Sequence, residues 1–198
     1  MTKIKFCGLT RPCDIEAVNE LKPEYIGFVF WQKSKRYVSP DKARELKSML
    51  SGDINAVGVF VDEQPSYIAG LLNENIIDIA QLHGGEDEEY INSLKELTDK
   101  PVIQAFRISS VDDIKKAEKS SADYVLLDAG MGEGRRFDWS LIERINRPYF
   151  LAGGLDCGNV ADALGELEPF AVDVSSGIET DGVKDASKMR EFVSIVRN

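Results

Sequence analysis

One histidine and three cysteines are the whole supply of strong metal ligands in these 198 residues. Cys7, Cys13 and Cys157 contain no CxxC pair, and their odd number argues against a disulfide framework as well as a zinc site. Free thiols fit a reducing cytoplasm, and no metal site is expected. No stretch approaches the roughly 20 apolar residues that cross a bilayer. The opening MTKIKFCGLT has no apolar signal core, so export and membrane insertion are not expected. Basic residues are outnumbered 24 to 34, for a formal net charge of -10. That surface repels phosphate backbones and disfavours nucleic acid as a partner. Any phosphate site must be local, built from backbone N–H groups and one or two basic side chains.

What is present is enough apolar material, 43% of residues, to bury one substantial core, which sets the expectation of a single domain over 1–198. Runs rich in β-branched and aromatic residues recur: IKFC, YIGFVF, INAVGVFV, IDIAQLH, PVIQAFR, ADYVLLD, PYFLAGG and FAVDVSSG. Each is followed by a turn signal and then by helical periodicity, an alternation that implies a parallel sheet. Helices are expected near 12–21, 40–50, 65–73, 87–97, 110–118, 138–145, 158–165 and 185–197, several opening with Pro, Asp or Ser. Eight units of about 25 residues are short for a (β/α)8 TIM barrel, so large insertions are excluded. A doubly wound sheet would favour a GxGxxG-like first turn, and the first turn here reads GLTRP. The expected fold is therefore α/β, a closed eight-stranded parallel barrel with outer helices.

In such a barrel the strands' C-terminal ends carry the chemistry. They offer Cys7 after strand one, Gln81 and His83 at strand four, Arg107 after strand five, Asp128 at strand six and Asp173 at strand eight. Alternation places Lys3, Lys5 and Cys7 on one face, with Lys5 inside the barrel beneath Cys7. A cation there would lower the thiol pKa toward that of a working base or nucleophile, although buried cysteines are more often inert packing. Cys13 and Cys157, in expected helical regions, are the unremarkable comparison. Asp128 ends an apolar strand ahead of the glycine-rich AGMGEGRRFDW. Partial burial could raise its pKa and keep it protonated as a general acid, or it could pair with Lys5 or cap the loop.

The glycine- and serine-rich turns after strands seven and eight, with Gly153, Gly154, Ser175, Ser176 and Gly177, lie where these barrels frequently bind phosphate through backbone amides and a short extra helix. Arg36, in QKSKRYVSP, could grip a carboxylate bidentately or be solvated surface. His83 could be a satisfied polar residue, with no second histidine for a relay. Asp173 could orient a substrate hydroxyl or partner an inward cation.

KFCGLTRP (5–12), GFVFWQKSKRYVSP (27–40), QLHGGE (81–86), LLDAG with FDW (126–139), FLAGGLDCGNV (150–160) and VDVSSGIE (172–179) together resemble the phosphoribosylanthranilate isomerases of tryptophan biosynthesis, nearly end to end. The resemblance implies a cofactor-free Amadori rearrangement of N-(5-phosphoribosyl)anthranilate into 1-(2-carboxyphenylamino)-1-deoxyribulose 5-phosphate. It implies Cys7 as general base and Asp128 as general acid. Arg36 would hold the anthranilate carboxylate, and the backbone around Gly153, Gly154, Ser175, Ser176 and Gly177 the phosphate, with His83 and Asp173 in support. The implied partner is a small phosphorylated substrate, and the chain would act as a monomer or homodimer. One departure stands out: AGMGEGRRFDW where the family form is closer to GGTGxxFDW. The alternatives are another phosphosugar isomerase or epimerase, whose chemistry would usually call for a metal or paired carboxylates, and a non-catalytic barrel that only binds phosphometabolites.

Overall fold

The computed structural model describes residues 1–128, 130, 142 and 145–198; the FDW segment lies outside them, as does most of the helix expected at 138–145. The eight strands are β1 (Lys3–Cys7), β2 (Tyr25–Val29), β3 (Asn55–Phe60), β4 (Ile79–Leu82), β5 (Val102–Arg107), β6 (Tyr124–Asp128), β7 (Tyr149–Ala152) and β8 (Ala171–Val174). They pair in chain order, and β8 pairs with β1 in parallel to close the barrel. The helices described are α1 (Pro12–Leu21), α2 (Pro40–Met49), α3 (Pro65–Asn73), α4 (Glu88–Lys95), α5 (Val111–Lys119), α6 (Val160–Glu166) and α7 (Ala186–Arg197). Proline opens α1, α2 and α3, where its missing N–H costs nothing. The side chains of Ser39, Asp87 and Asp185 accept from the first free amides of α2, α4 and α7.

Period-two alternation splits the apolar residues into two clusters. Ile4, Phe6, Ile26, Phe28, Leu82, Val125 and Leu127 face outward and pack with helix residues such as Ile15, Leu46, Ile68 and Phe192. Tyr25, Val57, Ile79, Ile103, Leu126, Phe150 and Ala171 fill the barrel itself. Rings concentrate toward the N-terminal end, where Phe150 meets Tyr25, Tyr124 and Phe170 edge-on at 5.2, 5.9 and 5.6 Å between centroids. The C-terminal end of the same interior is polar, so the barrel has an aromatic floor and a polar mouth.

The segment between β8 and α7 holds a two-stranded antiparallel hairpin, β9 (Glu179–Thr180) with β10 (Val183–Lys184). One expectation is corrected. Cys157 lies in the turn before α6 and not in a helix, with its Sγ 3.5 Å from the Lys188 carbonyl oxygen.

Candidate active site

Strand ends and the turns beyond them enclose a cavity of about 540 Å³ at the mouth. Cys7, Arg36, His83, Asp128 and Asp173 all line it, as do Gly153, Gly154, Ser175 and Ser176. Gly177 does not; it is bridged to Asp156 and ties the turn after β8 to the turn after β7. Widely separated sequence segments thus converge on one space.

Lys5 is fully buried directly below Cys7, but its Nζ donates to Asp173 Oδ1 at 2.9 Å. Burial alone would discharge Lys5; Asp173 and Cys7 outweigh it and hold its pKa above the usual value. Of the two roles open to Asp173, partner to the inward cation is the one formed. The consequence for Cys7 reverses the expectation. Its thiol pKa is raised, because burial, reinforced by the Asp173 charge, exceeds the help from Lys5 and Lys184. Lys5 remains the strongest group pulling the thiol pKa down, but the loss of water around a buried sulfur outweighs it.

Asp128, paired in register with Arg107 on one side and Ala152 on the other, is half-buried, and Lys5 is not its partner. Its Oδ1 accepts from the Gly130 N–H at 2.9 Å, and its Oδ2 faces His83 Nε2 at 3.8 Å. The His83 ring is the chief reason its pKa falls below the ordinary carboxyl value; Gly130 and Arg107 add to it, and burial opposes. The expected upward shift is thus also reversed. His83 in turn has Nδ1 2.8 Å from the side-chain amide of Gln81.

Arg36 is not loose surface. Its Nε and Nη2 donate to both carboxylate oxygens of Glu179 at 2.6 and 2.7 Å. The side chain reaches there by crossing Gly8, where φ is +81° and an added Cβ would lie 2.4 Å from Arg36 Cδ. Lys184 Nζ donates to Glu179 Oε1 at 2.6 Å and to the Ser175 carbonyl oxygen at 2.9 Å. Burial alone would raise the Glu179 pKa, but these two cations bring it down to about 2. Ser175 Oγ donates to the Cys7 carbonyl oxygen at 3.0 Å, binding the turn after β8 to β1. Gly153 and Gly154 both take positive φ, 103° and 75°, which folds their backbone over the mouth in a shape side chains resist. Sequence reasoning noted the SSGIE turn but gave Glu179 no role, and it passed over Lys184 altogether. Among the described residues no group of three or more His, Cys, Asp and Glu side chains is placed to hold a metal ion.

Residues 4–195 match the family described as N-(5'phosphoribosyl)anthranilate (PRA) isomerase. The N-(5'-phosphoribosyl)anthranilate isomerase of Endomicrobium trichonymphae is 45% identical over 203 residues, with each chain fully covered. The crystal structure of phosphoribosyl anthranilate isomerase from Thermotoga maritima superposes with a TM-score of 0.91 at 37% identity, covering 100% of this chain and 99% of that one. A structure of phosphoribosyl anthranilate isomerase in complex with reduced 1-(o-carboxyphenylamino)-1-deoxyribulose 5-phosphate gives 0.88, again at 37% identity and with 100% and 99% covered.

Proposed function

The chain belongs to the N-(5'-phosphoribosyl)anthranilate isomerase family, and from that premise we propose that its barrel mouth performs the Amadori rearrangement with Cys7 as general base and Asp128 as general acid. The observation that carries the reading is the convergence of both groups, Arg36 and the turns after β7 and β8 on one cavity. The substrate spans a carboxylate, a sugar ring and a phosphate. Arg36 takes the carboxylate, and the backbone of Gly153, Gly154, Ser175 and Ser176 takes the phosphate, with Gly177 fixing the shape of that turn. The sugar ring then lies between Cys7 and Asp128.

Asp128 protonates the ring oxygen, the C1–O bond breaks, and an iminium ion forms at C1. Its positive charge acidifies the C2 hydrogen, which Cys7 removes, and the enolamine tautomerises to the ketone. The protein's own groups favour the opposite starting states, a thiol and a carboxylate. The substrate's two anionic groups correct the acid, since negative charge entering the mouth raises the Asp128 pKa, but they raise the Cys7 pKa as well. The iminium charge, once formed, favours the thiolate.

The test is to mix purified protein with N-(5-phosphoribosyl)anthranilate and follow loss of the adduct's fluorescence. Steady decay is expected for the wild type. Cys7→Ser and Asp128→Asn should each lose at least about 100-fold in kcat while binding the reduced product almost unchanged. Wild-type turnover in either variant would remove that residue from its role.

A further inference from the structure

Gln81, at the mouth, has a buried, unsatisfied end. It is 1% exposed and lines the mouth cavity. Its Oε1 has no hydrogen-bond partner among the described residues, the one buried side-chain polar atom there of which this is true. A buried acceptor left unpaired is costly, a penalty that persists where a ligand relieves it. The other end of the amide is engaged. An NH₂ group can only donate, so Gln81 Nε2, 2.8 Å from His83 Nδ1, requires Nδ1 to be the acceptor. The neutral ring then carries its hydrogen on Nε2, the nitrogen facing Asp128. Both residues come from one strand and its end: Gln81 is inward on β4, in register with Val59 and Ile103, and His83 follows two residues later on the same face.

We propose that Gln81 is both a binding residue and a positioning residue of this site: its Oε1 accepts a hydrogen bond from a hydroxyl of the sugar portion of the substrate, and its Nε2 fixes the His83 tautomer that presents an N–H to Asp128. The inference rests on the placement of the sugar beside Asp128. It assigns the strand-four amide two contacts, one to the ligand and one to the acid's neighbour, so that seating the sugar and setting the acid's surroundings depend on the same side chain.

His83 is the only histidine in the chain, so its ring nitrogens can be observed alone in ¹⁵N-histidine-labelled protein. The long-range ¹H–¹⁵N spectrum of the wild type should show the neutral ring protonated at Nε2. In Gln81→Met, close in shape but lacking both amide functions, the ring should become a mixture of tautomers. A wild-type ring protonated at Nδ1, or a ring unchanged in Gln81→Met, would overturn the positioning role, and neither reading depends on turnover. The binding role is tested with reduced product and its mono-deoxy analogues. Gln81→Met should bind reduced product about tenfold more weakly, whereas one deoxy analogue should bind wild type and variant alike. If every analogue shows the same ratio between the two proteins, the amide does not contact a hydroxyl. Thermal unfolding of Gln81→Met monitored by circular dichroism confirms that the comparison is made on folded protein. A fluorescence assay without turnover, alongside the expected tautomer, would count against the rearrangement and leave the His83 assignment standing.

Discussion

Cys7 and Asp128 illustrate how a neighbour's neighbour decides the sign of a pKa shift. Lys5 lies under the thiol as strand alternation requires and pulls its pKa down, but burial, joined by the charge of Asp173 2.9 Å from the Lys5 ammonium, lifts the Cys7 pKa above its ordinary 9.0. A group with a raised pKa stays a thiol through neutral pH, so its reactivity should keep climbing into the alkaline range. In a Cys13→Ser, Cys157→Ser background, the rate of Cys7 alkylation by iodoacetamide should rise with pH and reach no plateau below about pH 9. A plateau near pH 7 would show that Lys5 wins after all. Alternation and strand ends made the positions of Lys5, Cys7, His83 and Asp128 legible in the chain. Their charge states were not legible, because Asp173 is 168 residues from Lys5 and nothing local announces that pairing. The Gln81 amide was visible as a polar strand end, yet its unsatisfied oxygen is a property of packing and has no counterpart in residue order.

The β9–β10 hairpin is the element that most changes how the site is understood. Register pairs Glu179 with Lys184, and Glu179 holds Arg36 by both oxygens, so the hairpin aims the guanidinium across the mouth. On the proposed placement, a substrate carboxylate at Arg36 shares or displaces that contact. The Glu179 carboxyl, ordinarily near 4.5, is held at about 2, and the sign follows from linkage. A depressed folded-state pKa contributes stability that is present above about pH 4.5 and lost as pH falls toward 2. Glu179→Gln should therefore cost about 2–4 kcal/mol at pH 7 and flatten the fall in stability between pH 5 and pH 3. Urea melts across that range measure both; a variant as stable as wild type at pH 7 would show that Arg36 and Lys184 find other partners. Strands β1 to β8 were readable because each is a β-branched or aromatic run bounded by turn residues. The hairpin was not, since two-residue strands carry no periodicity. Its identity comes from ion pairs between residues 36, 179 and 184, which a helix-or-strand reading of the SSGIE segment cannot detect.

Over the whole molecule, the barrel interior divides its labour along its axis. Toward the mouth the inward positions are Cys7, Gln81, Arg107, Asp128 and Asp173; below them they are Tyr25, Tyr124, Phe150 and Phe170, with the Lys3 ammonium 4.3 Å from the Phe170 ring centre. Barrels place chemistry at the C-terminal face and rely on the opposite end for stability, which makes the two separable by mutation. Phe150 is the sharpest probe, since it is fully buried and meets three other rings yet does not line the mouth cavity. Phe150→Ala should lose about 3–5 kcal/mol through lost burial, edge contacts and the cavity left behind. Closed parallel sheets deform little, so the strand ends above should keep their places, and catalytic efficiency in the folded fraction should stay within about threefold of wild type. Urea denaturation followed by tryptophan fluorescence, paired with the adduct assay at a temperature where the variant remains folded, separates the two quantities. If demonstrably folded variant instead lost catalytic efficiency by about 100-fold or more, the aromatic floor would be setting the geometry of Cys7 and Asp128, and the mouth and floor of this barrel would act as one unit.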